Sequence, residues 1–212
     1  MPYVCITHCK IRTNAYLVWK DHDAVIIDPP QDTEEADKKI AEYNLHVHAV
    51  LCTHLHFDHV IGCHAWQKRG IPVYASRVEL PYKESMMGRS WKIGCVIDPY
   101  EPQPIDEGVL SWNALSLQAI LTPGHSPGSL CFYAPDEGVI FSGDSIFRDV
   151  DPNINFIDSI PNVLLPALIK KVFILPPDTL VCPGHGKNTT LLREELRHGL
   201  CPSEMRQSTP SE

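Results

Sequence analysis

The chain has 212 residues, 43% of them hydrophobic, and a formal net charge of −8 at pH 7. This length and apolar content suffice for one sizeable core, so we expect one continuous domain over residues 1–200 and a mobile Pro/Ser/Glu-rich tail over residues 201–212. The negative charge disfavours nucleic acid as a partner, and no apolar run reaches the roughly 20 residues that a membrane helix needs.

The N-terminus and the cysteines indicate a cytoplasmic protein. Met1-Pro2-Tyr3 opens without the charged-then-apolar pattern of a secretion signal. The 8 cysteines are scattered and form no CxxC pair, which predicts reduced thiols rather than a disulfide framework. Neither composition nor pattern indicates the oligomeric state.

In chain order, the first half begins with short β candidates at residues 2–6, 13–19 and 23–28, the last two joined as a hairpin. A helix over 33–43, a strand over 47–52, a helix over 59–69, a strand over 72–75 and a short helix from about Ser76 follow. The Pro-rich residues 99–104 cannot lie inside a helix, and their position fits a joint between two similar halves.

The second half repeats the arrangement of short predicted strands and helices seen in the first. Strands are predicted near 115–121, 129–134, 138–142 and 179–182, with helices near 161–172 and from about 188. This periodicity alone predicts a mixed α/β protein.

The strand predicted over residues 47–52 leads into Thr53-His54-Leu55-His56-Phe57-Asp58-His59, which contains three histidines and one aspartate. Zinc, iron and manganese favour imidazole and carboxylate ligands, and alternation places His54 and His56 on one side of an extended backbone. A single histidine at a turn is more often a surface residue. Four ligand-type residues at this spacing predict a metal site.

Three further candidate ligands follow predicted strands in Gly/Pro-rich turns. They are His125 in Thr122-Pro123-Gly124-His125-Ser126-Pro127-Gly128, Asp144 after Ser142-Gly143, and His185 in Pro183-Gly184-His185-Gly186. Glycine and proline let the backbone turn sharply and approach an ion closely. A lone aspartate at a strand end is most often a turn former. The prediction of a metal site therefore depends on all of these motifs occurring together in this order. Cys63 and His64 also follow the first loop, but with this ligand set complete we expect them to be packing residues.

The order of these motifs resembles the metallo-β-lactamase-fold hydrolase superfamily, whose pattern is a THxHxDH loop, a distant histidine, an aspartate and a last histidine. The TPGHSPG and PGHG forms look most like its small glyoxalase II-like branch, the hydroxyacylglutathione hydrolases. The resemblance covers roughly residues 2–197 and is far more specific for the superfamily than for the substrate. It implies a four-layer αββα sandwich whose ligand loops meet at one edge.

The resemblance also implies a role for each candidate. His54, His56 and His125 would hold one divalent ion, Asp58, His59 and His185 the second, and Asp144 would bridge them. Zinc is the expected metal, with iron or manganese as alternatives. Asp28 matches a family aspartate that orients ligands, although a residue before a proline turn needs no such role.

The implied activity is hydrolysis by a metal-bridging hydroxide, with Asp58 and Asp144 as the acidic members of the catalytic centre. Two ions that share a water lower its pKa from 15.7 toward about 7. A thiolate with a pKa of about 8.5 leaves readily, so the predicted substrate is an anionic thioester of the S-acylglutathione type. Arg148 and Lys187 are candidate substrate contacts, with Lys83 and Arg89 as further cations at the rim.

Other functions stay open on the sequence alone. One is a persulfide dioxygenase with a single iron, and another is lactone, phosphodiester or β-lactam hydrolysis on the same centre. A catalytically silent scaffold is a third, disfavoured by the complete ligand set. The chain departs from the family in two places that bear on glutathione: Leu55 stands where glyoxalase II proteins usually have a third histidine, and residues 145–152 lack the usual Gly-Arg loop.

Overall fold

The computed structural model describes residues 1–8, 12–87 and 96–200. The first half contains β1 Tyr3–His8, β2 Thr13–Lys20, β3 Asp23–Ile27, α1 Glu34–Glu42, β4 His46–Leu51, α2 Phe57–Val60, α3 Cys63–Gln67, β5 Val73–Ser76, a 3-10 helix Leu80–Tyr82, α4 Lys83–Met87 and β6 Gln103–Ile105. The second half contains β7 Gly108–Trp112, β8 Leu115–Leu121, β9 Leu130–Ala134, a 3-10 helix Pro135–Glu137, β10 Val139–Gly143, α5 Leu164–Lys171, β11 Leu180–Pro183, β12 Thr189–Thr190 and α6 Leu191–Arg197.

Within the described residues, each half of the chain forms one 6-stranded sheet. The first has the order β1-β2-β3-β4-β5-β6 and the second β12-β11-β10-β9-β8-β7. Strands β3 to β6 are parallel, whereas β7 to β10 are antiparallel and β11 runs parallel to β10. The chain therefore passes from one sheet to the other between β6 and β7, directly after the predicted joint.

Three apolar clusters separate four layers. The central cluster joins inner faces of the two sheets, with Tyr16 and Ile27 from the first and Phe132 and Phe141 from the second. The outer face of the first sheet packs against α1 to α3, and that of the second against α5 and the start of α6. Burying one such aromatic side chain contributes about 1.5–3 kcal/mol. The structure confirms the predicted αββα architecture.

Most predicted elements are present with shifted ends, and four differ from the prediction. The helix predicted over 59–69 is divided into α2 and α3, and the division falls at Ile61-Gly62 because glycine is a poor helix former. Strands β6, β7 and β12 were not predicted. Pro104 lies in β6, an edge strand, where a residue without an N–H is tolerated.

Other sequence predictions concern membrane spans, thiols and the tail. Among the described residues no helix is both long and apolar enough to cross a membrane. The described cysteines Cys5, Cys52, Cys63, Cys131 and Cys182 are free, as predicted. The tail predicted over residues 201–212 lies outside the described residues.

Candidate metal centre

The predicted ligands come from four loops at one edge of the sandwich. The first loop connects β4 to α2, and the others follow β8, β10 and β11. The side chains of His54, His56, Asp58, His59, His125 and Asp144 are buried, whereas the His185 side chain is 29% exposed. Buried polar groups of this kind are costly unless they are paired or bind an ion.

The structure brings all seven predicted ligands together in three overlapping clusters. These are His54-His56-His125, His54-His59-Asp144 and Asp58-His59-His185, each with one ligand atom per residue within 4.8 Å of the others. The first and third correspond to the two predicted half-sites. The middle cluster connects them through His54, His59 and Asp144.

Asp144 lies between the two half-sites. Its Oδ2 is 3.4 Å from Nε2 of His125 and 3.7 Å from Nε2 of His185, and its Oδ1 is 3.4 Å from Nε2 of His59. Gly184 makes room for this carboxylate, because a Cβ there would lie 2.3 Å from Asp144 Oδ1. The geometry is that of a residue able to contact both ions.

The hydrogen bonds of the histidines assign their tautomers and test whether the site fits metal. Nδ1 of His59 donates to Asp28 Oδ2 at 2.8 Å, and Nδ1 of His125 donates to the Asn153 carbonyl at 2.8 Å. Nδ1 of His54 lies 3.1 Å from the Thr53 hydroxyl, whose hydrogen goes to Asp28, so this nitrogen is the donor. In each ring Nε2 is then the nitrogen that faces inward, and it can bind an ion once it is unprotonated.

Two further features of the histidines support a metal at this site. Nε2 of His54 is buried and forms no hydrogen bond with any described residue. Nε2 of His125 lies 2.9 Å from Nδ1 of His56 and accepts its hydrogen, so an ion bound here would take the place of that proton. Converging ring nitrogens beside two carboxylates form a donor set that suits a divalent transition metal.

The charge states differ between the half-sites. Burial lowers the pKa of His125 to about 4 and that of His54 well below its ordinary value. Burial also opposes the charged form of His59, but Asp58, Asp144 and Asp28 outweigh it and raise the pKa of His59. For Asp58, burial is outweighed by His59 and by hydrogen bonds from His185 and Thr13, which hold its pKa well below the usual range. Strong perturbation of this kind is typical of functional sites.

Asp28 was predicted to orient ligands, and its contacts are those of such a residue. It is buried and accepts hydrogen bonds from the Thr53 N–H at 2.7 Å, from the Thr53 hydroxyl at 2.6 Å and from His59. It thereby fixes both the start of the first loop and the ring of His59.

Several residues at the site were missed because they lie far away in the chain. Asn14 donates to the carbonyls of Pro183 and Gly186 on either side of His185, both at 3.0 Å. Tyr16 also donates to the Pro183 carbonyl, and Thr13 donates to Asp58 at 2.7 Å. The start of β2 therefore holds the last ligand loop, and the only local signal is its polar opening Thr13-Asn14 within a buried strand.

The segment over residues 153–159 covers the first half-site and was also missed. The Asp158 carboxylate lies 3.6 Å from Nε2 of His56, and the Phe156 ring makes edge contacts with His56 and His125. The Ser159 hydroxyl donates to the His125 carbonyl at 2.8 Å. No motif marks this segment, since its role depends on a loop folding back over the site.

A cavity of about 460 Å³ opens onto the centre. His125, Asp144 and His185 line its floor, Phe147 and Phe156 its walls, and Arg148 and Lys187 its rim. The two predicted substrate contacts therefore lie beside the metal ligands. Lys83 does not line this cavity, because it donates to the Tyr100 carbonyl at 2.6 Å, and Arg89 lies outside the described residues.

Cys63 and His64 are packing residues, as expected. Sγ of Cys63 lies 3.6 Å from Sγ of Cys52, and Nδ1 of His64 contacts the Pro99 carbonyl. Neither belongs to a metal cluster of the described residues.

Comparison with known proteins identifies the family. A model described as "Metallo-beta-lactamase superfamily" matches residues 11–185. The chain belongs to this superfamily. It is 32% identical over 190 residues to the probable metallo-hydrolase YqgX of Bacillus subtilis, covering 87% of this chain and 90% of that one. It is 29% identical over 191 residues to the hydroxyacylglutathione hydrolase GloC of Haemophilus influenzae, with the same coverage.

Solved structures of the metallo-beta-lactamase superfamily share this fold. The crystal structure of TTHA1623 in a di-iron-bound form has a TM-score of 0.81 and 34% sequence identity, covering 90% of this chain and 96% of that chain. Family membership and the His/Asp clusters together identify a metal-dependent hydrolase whose ligand set suits two ions.

Proposed function

We propose that the protein is a dinuclear metal hydrolase that cleaves an anionic thioester of the S-acylglutathione type. The observation that carries the proposal is the pair of three-residue clusters linked by Asp144, beside a cavity with two cations at its rim. The similarity to GloC, a hydroxyacylglutathione hydrolase, supports the thioester as the substrate class.

In this proposal each residue of the centre has a defined role. His54, His56 and His125 would hold one ion and Asp58, His59 and His185 the other, with Asp144 shared. When bound, the two ions supply a hydroxide at neutral pH and polarise the carbonyl of the substrate. Asp28 and Asn153 keep the ligand rings oriented, as described above. Asp58 and Asp144 compensate part of the charge of the ions, so the site retains a positive centre that suits an anionic substrate.

The cavity favours a small molecule with both apolar and anionic parts. Phe147 and Phe156 offer apolar contact, while Arg148 and Lys187 offer charge to carboxylates. The net charge of −8 makes a nucleic-acid substrate unfavourable by comparison. We propose zinc as the metal, with iron or manganese as alternatives, and the di-iron form of TTHA1623 makes iron the first alternative to test.

A persulfide dioxygenase with a single iron is the second candidate. The second cluster disfavours it, because a mononuclear oxygenase has no need of Asp58 and His185 as ligands. The two candidates differ in the number of ions per chain and in whether oxygen is consumed.

The test begins with elemental analysis of protein purified without added metal. The loaded protein is then incubated with S-lactoylglutathione, the released thiol is followed, and oxygen uptake is measured with glutathione persulfide. We expect two ions per chain, thiol release and no oxygen uptake. His54→Ala is the control, and turnover no greater than that of this variant would reject the thioester. One iron per chain with oxygen uptake would establish the second candidate.

A further inference from the structure

Glu79 is a buried carboxylate that the proposed mechanism does not use. It lies between β5 and the 3-10 helix Leu80–Tyr82, and it is 0% exposed. An ionised side chain in such a position costs several kcal/mol unless it is hydrogen-bonded or paired. The hydrogen bonds of the Glu79 carboxylate therefore indicate why a charged residue is buried at this position.

The Glu79 carboxylate joins two ligand loops. Oε1 accepts a hydrogen bond from the Leu55 N–H at 3.2 Å, and Oε2 accepts one from the Gly128 N–H at 2.6 Å. Leu55 lies between His54 and His56, and Gly128 lies in the turn that carries His125. The two oxygens of one carboxylate thus connect the segments that present all three ligands of the first half-site.

The chain is built to allow this contact. A Cβ at Gly128 would lie 2.6 Å from the Glu79 backbone nitrogen and 2.8 Å from Glu79 Oε2, so a larger residue would displace the carboxylate or the loop. The two segments also meet through a hydrogen bond from the Leu130 N–H to the Thr53 carbonyl at 2.8 Å. Glu79 adds a second connection on the other side of His54.

Burial raises the pKa of Glu79, while hydrogen bonds from the Ser126 side chain and from the Leu55 and Gly128 N–H groups oppose that rise. These donors favour the ionised form, because a carboxylate accepts at both oxygens whereas a carboxylic acid must donate at one. With a backbone N–H facing each oxygen, the two bonds described above require two acceptors.

We infer that Glu79 is a positioning residue for the first half-site: its carboxylate sets the distance between the loop of His54 and His56 and the loop of His125. Its carboxylate bonds to backbone N–H groups and belongs to none of the ligand clusters named above. The inference rests on the two-metal centre of the proposed function, and it distinguishes that half-site from Asp58, His59 and His185, which Glu79 does not contact.

The decisive variant is Glu79→Gln, which keeps the size of the side chain but places an NH₂ group against one of the two N–H donors. We expect one of the two ions to bind about 10- to 100-fold more weakly, as when outer-shell partners of ligands are removed. Metal content and chelator competition measure this without reference to activity. Glu194→Gln is the matched control, since Glu194 is also 0% exposed and hydrogen-bonded, to Thr189 and Arg197.

Double variants locate the effect. Added to His125→Ala, Glu79→Gln should change metal binding little further, because both act on the same half-site. Added to His185→Ala, it should weaken the remaining ion by about the same 10- to 100-fold as the single variant. Gly128→Ala, which crowds Glu79 from the opposite loop, should reproduce the single variant. Glu79→Asp should also bind metal more weakly than the wild type, because its shorter side chain reaches less far between the two ligand loops.

The inference is overturned if Glu79→Gln or Gly128→Ala binds both ions as the wild type does. Equal losses in the His125→Ala and His185→Ala backgrounds, or an equal loss in Glu194→Gln, would also overturn it by showing a general loss of stability. If the wild type binds two ions in those cases, the proposed function is unaffected. A wild type that binds no metal would overturn both.

Discussion

Oδ2 of Asp28 lies 2.8 Å from Nδ1 of His59, and the opposite nitrogen of that ring lies 3.3 Å from Asp58 and 3.4 Å from Asp144. A carboxylate at the end of β3 therefore determines which nitrogen of His59 faces the metal site. The same carboxylate receives two hydrogen bonds from Thr53 at the start of the ligand loop. One residue thus controls both the position of the loop and the orientation of a ligand.

Replacing Asp28 by Asn should weaken metal binding about 10- to 100-fold, because the amide cannot accept at both positions that now receive hydrogen bonds. Asn suits this test because Asp28 has a positive φ of 51°, which Asn tolerates. Chelator competition measures the affinity, and Asp32→Asn, an exposed residue nearby, is the control. Unchanged affinity in Asp28→Asn would show that the contact does not orient the ligand.

Asp144→Ala should remove more metal than any single histidine substitution, because Asp144 faces both half-sites. We expect fewer ions per chain by elemental analysis than in His54→Ala or His185→Ala, and no hydrolysis above background. Asp136→Ala, whose side chain is 76% exposed, serves as the control. Two ions and a full rate in Asp144→Ala would mean that the bridge is wrongly placed.

Substitution of Arg148 and Lys187 should raise KM for an anionic thioester while the metal content stays at the wild-type ratio. Surface charges of this kind contribute about 0.2–1 kcal/mol each to an ion pair, so the double alanine variant should raise KM severalfold. A neutral thioester should show no such change, and Lys38→Ala, at a residue that does not line the cavity, should affect neither substrate. Equal increases for both substrates would argue against charge recognition.

Acid stability should depend on Asp23. The hydrogen bond from Asn113, followed by those from His48 and the Ala114 N–H, lowers the pKa of Asp23 from 3.8 to about 2. Because the folded-state pKa is the lower one, this group stabilises the fold above about pH 4 and loses its contribution as the pH falls toward 2.

Urea unfolding of the metal-free protein at several pH values measures this effect. The difference in unfolding free energy between the wild type and Asp23→Asn should shrink from pH 4 to pH 2. A difference that stays constant over this range would contradict the assignment.

The sequence predicted the parts of the centre that are local in the chain. His54, His56, Asp58 and His59 stand within one short loop, and the turns around His125 and His185 each carry glycine and proline, so residue type and spacing were sufficient. The buried strands were predicted for the same reason, since apolar runs bounded by turn residues specify them.

The parts that escaped prediction depend on contacts between distant segments. Nothing in the neighbourhood of Asn14 or Glu79 indicates that their partners lie on other loops, because hydrogen bonds to backbone groups leave no pattern in the sequence. Strands β6 and β12 have only 3 and 2 residues, too few for alternation to be visible. Such short edge strands are defined by their neighbours.

The division of the ligands between the two halves has a mechanical consequence. The first half-site takes two histidines from the first sheet's loops and His125 from the second's, and the other combines Asp58 and His59 with His185. Neither half of the polypeptide carries a complete set, so each bound ion would act as a cross-link between the sheets. Bound metal should therefore stabilise the protein against separation of the two sheets. In the metal-free protein, that separation should be the first event in unfolding.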